Sequence, residues 1–88
     1  MNPDAINEVM YVVQNRIGEA FGLASLRNIE EHILADRILF PVLFHMSQKG
    51  RRNTISKIMN DRYELWNIPD KPKKRNRVWN LQRKRGLE

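Results

Sequence analysis

The residues with the clearest chemical purpose in this chain are cations interleaved with amides and hydroxyls. Lys49, Arg51, Arg52 and Lys57 form one cluster, Lys71, Lys73, Lys74, Arg75 and Arg77 a second, and Arg83, Lys84 and Arg85 a third. Asn53, Thr54, Ser56, Asn76, Asn80 and Gln82 stand among them. Lys and Arg neutralise phosphates, while Arg also forks onto guanine and Asn onto adenine. The mixture therefore suits a polyanion whose bases are read as well as its backbone. Cations also serve merely to solubilise a surface or to complement helix C-termini. That use is less favoured here, because eight Lys or Arg fall within the last eighteen residues.

The charge is divided sharply along the chain. From His45 to Glu88 thirteen Lys and Arg oppose four Asp and Glu, a balance of +9, whereas from Met1 to Phe44 three oppose six, a balance of −3. Such an asymmetry points to a basic binding half attached to an acidic folded half, with nucleic acid as the first partner to consider.

Catalytic chemistry finds little support. There is no Cys, so disulfides, thiolate catalysis and Cys-based zinc sites are excluded together. His32 and His45 lack the acids at ligand spacing that would complete a metal site. Glu30 and Glu31 beside His32 are consecutive on a helix and do not face one another, so they read as a solvated face. Neither Ser25 nor Ser47 lies in a nucleophile elbow, and Lys49-Gly50 is not a phosphate-binding loop. The expectation is a protein that is not an enzyme and holds no metal or cofactor.

Eighty-eight residues suffice for one domain, which buries roughly two thirds of its unfolded surface. Within it residues 1–44 read as an acidic helical core or dimerisation half, and 45–88 as the nucleic-acid-binding half. No stretch approaches the ~18 apolar residues of a membrane span, and the N-terminus lacks the basic and apolar regions of a signal peptide. With the absence of Cys, this predicts a cytoplasmic location.

The elements that would position the cations all read as helices. Ile6, Val9, Met10, Val13, Ile17, Ala20 and Phe21 recur at helical spacing, with Asn7, Glu8, Gln14, Asn15 and Glu19 facing away. Asn2 can cap this helix, Pro3 suits its first turn and Gly22 its left-handed stop. A second helix starts at Ser25 and runs to about Ala35. The apolar run Ile38–Phe44 predicts a buried helix from about Asp36 to Gln48, kinked or restarted at Pro41 and ended by Lys49-Gly50. Another opens at Asn53 or Thr54 and ends near Trp66, with Ile55, Ile58, Met59, Leu65 and Trp66 inward. The two prolines of 67–72 make a loop, and Val78, Trp79 and Leu81 then suggest a last helix to Arg85. The predicted fold is all-α, a single domain of four or five helices.

From Asp36 onward this order resembles the helix-turn-helix family in its broad, winged-helix-related sense. Residues 38–44 would be the buried first helix, 54–59 the supporting helix and 77–87 the recognition helix, whose Lys84-Arg85-Gly86-Leu87 ending is similar to that of many such regulators. The resemblance implies base contacts by Asn76, Arg77, Asn80 and Arg83 and phosphate contacts by Thr54, Lys57 and Arg85. Two departures are visible. The connection 67–72 exceeds the usual three- to four-residue turn, and the chain stops after Glu88, where a winged member would continue, so a wing is expected to be absent.

Two further features leave alternatives open. Trp66 and Trp79 lie among basic residues, where aromatic rings stack exposed bases. Core packing is favoured for Trp66, while packing and stacking are nearly balanced for Trp79. The stripe Ile6, Val9, Val13 and Ile17 either covers the apolar run within one molecule or pairs with a second copy as a homodimer. The sequence thus predicts a small regulator of transcription that binds duplex DNA, with RNA binding as the alternative. A third reading is a small factor, of viral origin for instance, that contacts an acidic face of polymerase or another host enzyme.

Overall fold

The structure, a computed structural model, describes residues 2–66 and 77–85. The side chain of Asn2 accepts the Asp4 N–H at 2.8 Å and Pro3 sits in the first turn, so helix α1 (Pro3–Tyr11) begins as its capping residues dictate. Its winding loosens into π-helical turns over Val12–Ile17, which end at Gly18 with φ 85°. A short 3-10 turn, Glu19–Phe21, leads to Gly22 at φ 95°. The expected stop at Gly22 is therefore preceded by an earlier one. The two left-handed glycines together reverse the chain into strand β1 (Leu23–Ser25).

Ser25 opens helix α2 (Leu26–Leu34), its Oγ accepting the Asn28 N–H at 3.0 Å. After it the Asp36 carboxylate takes the N–H groups of Ile38 and Leu39 and turns the chain. The apolar run that follows is not one buried helix. Only α3 (Pro41–Phe44) is helical, restarted at Pro41, and Ile38 is 82% exposed while Phe40 and Leu43 enter the core. The N-terminus of α3 is held by Glu8, whose buried carboxylate accepts the N–H groups of Val42 and Leu43 at 3.0 and 2.9 Å. Glu8 therefore faces inward, contrary to its place on the polar side of the helical pattern.

Helix α4 (Gln48–Arg62) starts earlier than expected because Ser47 caps it, with its Oγ accepting the Gly50 N–H at 3.1 Å. Lys49-Gly50 is thus a first turn and not a stop. The helix ends at Arg62, and the chain passes into strand β2 (Tyr63–Leu65).

The all-α expectation is overturned by strand β3 (Val78–Lys84), which occupies the place of the predicted last helix. It is the centre of an antiparallel sheet of order β1-β3-β2, so the fold is mixed α and β. Val78 and Leu81 at a spacing of three suggest a helix, but the buried pair is Trp79 and Leu81, at the spacing of two that one face of a strand requires. Seven residues carry too few periods to separate these patterns locally. Two edge strands, one of them more than fifty residues away in sequence, supply the backbone partners that decide it. β2 and β3 also pair antiparallel, a strand pair where the sequence pattern read only helices and a loop.

Pairing slips between Tyr63, opposite Lys84, and Glu64, opposite Asn80, leaving Leu81–Arg83 as a bulge in β3. There the Leu81 N–H donates to the Gly22 carbonyl at 2.8 Å and the Gln82 N–H to Asn80 Oδ1 at 3.0 Å. The core lies between the sheet and the helices, built from Val9, Val12 and Val13, from Leu26, Ile29 and Ile33, from Ile55, Ile58 and Met59, and from Tyr63, Trp79 and Leu81.

Candidate nucleic-acid interface

Helix α4 carries its side chains in two sharply different environments. Ile55, Ile58 and Met59 anchor it in the core, while Lys49, Asn53 and Lys57, four residues apart, share an exposed stripe. Arg51 and Arg52 belong to neither group. Glu30 on α2 is buried, and its two carboxylate oxygens accept the Nε–H of Arg51 at 2.9 Å and of Arg52 at 3.0 Å. The Arg51 guanidinium also donates to the carbonyls of Phe44 and Met46. Two cations expected at nucleic acid instead fasten α4 to α2 and to the segment before it. Glu30 correspondingly leaves the solvated face to which its sequence position assigned it.

Other expected contacts are also used inside the fold. Lys84 pairs with Glu19 at 3.2 Å, and the Arg85 guanidinium donates to the Asn60 carbonyl at 3.0 Å. Asn80 is half-buried and holds the β3 bulge, and Thr54 is half-buried on α4. Trp79 is fully buried, so its ring is closed to base stacking, whereas Trp66 is 58% exposed at the end of β2. This inverts the balance drawn from the sequence. Val9 and Val13 are likewise consumed in the core, with Ile6 and Ile17 packed partly against it, so the stripe offered as a dimer face serves the single molecule. Lys71, Lys73, Lys74, Arg75 and Asn76 lie outside the described residues, as does the Gly86-Leu87 ending.

What the fold does bring together is the outer face of α4 and the root of the hairpin. Asn53, Ser56, Lys57, Asn60, Asp61 and Arg77 line one cleft, and Asn60 and Arg77 continue into a second bordered by Glu64, Leu65 and Arg85. Among the described residues Lys49, Lys57, Arg77 and Arg83 take part in no ion pair. The carbonyl of Arg77 accepts the Leu26 N–H at 2.9 Å, which pins the start of β3 beside α2 while its side chain reaches the α4 cleft. Composition places Lys49 and Asn53 among the basic and amide residues, but the helical pattern puts them ahead of the helix. Ser47, a capping residue, is the signal that sets them on it.

Comparison with known family models, with curated proteins and with solved structures finds no match for this chain. Among the described residues no group of three or more His, Asp or Glu side chains gathers as a metal site, and no helix is long and apolar enough to cross a membrane.

A further cleft, on the α1 side of the hairpin, is lined by Met10, Gln14, Glu19, Arg62, Tyr63, Lys84 and Arg85. Burial pushes the Tyr63 phenol above its ordinary 10.0; Glu19 adds to the rise and Arg62 opposes it.

Proposed function

We propose that this protein binds duplex DNA and regulates transcription by occupying its site, with α4 as the helix presented to the major groove. The observation that carries this reading is the stripe Lys49, Asn53 and Lys57, outward on a helix whose opposite side is locked by core packing and the Glu30 ion pairs. A helix fixed in this way offers its Lys charges to phosphates without further ordering of the backbone. The N-terminal turns of α4, with Gln48, Lys49 and Asn53, face the bases in this reading, as in helix-turn-helix docking.

The hairpin supports the same conclusion. Helix, strand, three helices and two strands, with sheet order β1-β3-β2, resemble the winged arrangement of the helix-turn-helix family, the β2–β3 hairpin standing where the wing would be. The chain that joins these strands, residues 66–77, contains Lys71, Lys73, Lys74, Arg75 and Arg77. A basic connection of this composition adds sequence-independent affinity.

Trp66 favours a second reading, in which an exposed ring at the hairpin stacks an unpaired base of RNA or single-stranded DNA. Mobility shifts with duplex DNA competed by RNA and by single strands test both. Duplex binding that single strands do not displace supports the first reading; preferential capture of single strands, abolished in Trp66→Ala, replaces it with the second.

A further inference from the structure

Ser56 is 4% exposed, lines the cleft between α4 and the root of β3, and its Oγ has no hydrogen-bond partner among the described residues. A shielded hydroxyl without a partner is uncommon and asks for a reason. Its neighbours supply one. Lys57 and Arg77 border the same cleft and form no ion pair among the described residues. Asn60 also borders it, and its amide orientation is set chemically: the Trp79 indole N–H is a donor only, so it faces Oδ1, at 2.8 Å, and leaves Nδ2 as a donor.

Four donor groups of different kinds therefore converge on one depression, with the carboxylate of Asp61 as the single opposing charge among the described residues. Rich in donors and cationic, the cleft suits the acceptor oxygens of a tetrahedral monoanion.

We infer that this cleft seats one phosphate of the DNA backbone. Lys57 and Arg77 supply the charge, and Ser56 and Asn60 the remaining hydrogen bonds. The inference rests on the duplex-DNA reading and deepens it. A seat between the groove helix and the hairpin fixes the register of α4 along the duplex, leaving Lys49 and Asn53 over the bases. Asp61 weakens the seat and so keeps it from dominating sequence-independent binding.

The test uses the full chain and a duplex selected by it from a random-sequence pool, with neutral methylphosphonates placed one position at a time. In the wild type one position should weaken binding by about tenfold, the worth of one charge-assisted hydrogen bond. That same position should have no further effect in Arg77→Gln, and Asp61→Asn should tighten binding to the unmodified duplex but not to the duplex neutral at that position. Methylphosphonate effects that are uniform along the duplex, or additive with both variants, would overturn the seat while leaving DNA binding intact. If no duplex is bound at low salt, the DNA reading fails and the seat falls with it.

Discussion

The Trp79 indole Nε1 donates to Oδ1 of Asn60 at 2.8 Å, joining the central strand of the sheet to the C-terminal half of the helix that carries the exposed basic stripe. The largest fully buried side chain is thus also the tie that sets the hairpin against α4. A buried indole must find an acceptor, and here it is Asn60, which among the described residues borders both clefts along with Arg77.

Replacing Asn60 with Ala should therefore do two things. Leaving the indole N–H unpaired costs about 1–3 kcal/mol of stability, measured by urea denaturation. The hairpin should also loosen from the helix, seen as faster amide exchange at Val78 and Trp79 with little change in α1. Unchanged stability would show that the bond contributes nothing net.

The ion pairs of Glu30 make a second, larger prediction. Glu30→Gln strands the buried Arg51 guanidinium and should destabilise the fold by about 3–5 kcal/mol. Arg51→Met combined with Glu30→Met should recover much of that stability, because removing both charges also removes the need to solvate either. Arg52, more exposed, should matter less than Arg51. Thermal denaturation of the variants checks the order.

Tyr63 gives a pH dependence with a definite sign. Its phenol is held above 10.0 in the folded chain, so the unfolded state releases that proton first. The stabilisation from the neutral phenol is complete below 10.0 and is lost as pH rises from there through the folded value. Ultraviolet titration should show Tyr63 ionising above 10.0, and Tyr63→Phe should flatten the alkaline fall in stability. A wild-type curve superimposable on that of the variant would refute it.

Binding itself should separate two classes of cation. Lys57→Ala and Arg77→Ala should lower the salt dependence of duplex binding by about 0.9 in the log–log slope for each phosphate no longer neutralised. Arg52→Ala should leave the slope unchanged, because its charge is already spent on Glu30. Titrations at several salt concentrations distinguish the outcomes, and equal slopes for all three variants would contradict the α4 interface.

Much of the helical framework was legible locally. Asn2 and Pro3 start α1, Ser25 starts α2, and the apolar positions of α1, α2 and α4 are largely those found in the core. Each of these signals acts over a few residues: a side-chain oxygen reaching an N–H two or three positions on, or a stripe repeating at 3.6. The charge asymmetry is equally independent of fold.

What the sequence alone determined, then, was the caps of α1 and α2, the main helical stripes and a cationic C-terminal half. The tertiary structure decided that residues 78–84 form a strand, that Arg51 and Arg52 turn inward, and that Trp79 is covered while Trp66 is not. The reason is common to all three. A strand takes its identity from partners on β1 and β2, a buried guanidinium from a carboxylate on another helix, and a ring's burial from what packs over it. None of those partners lies within the few residues over which local propensity acts.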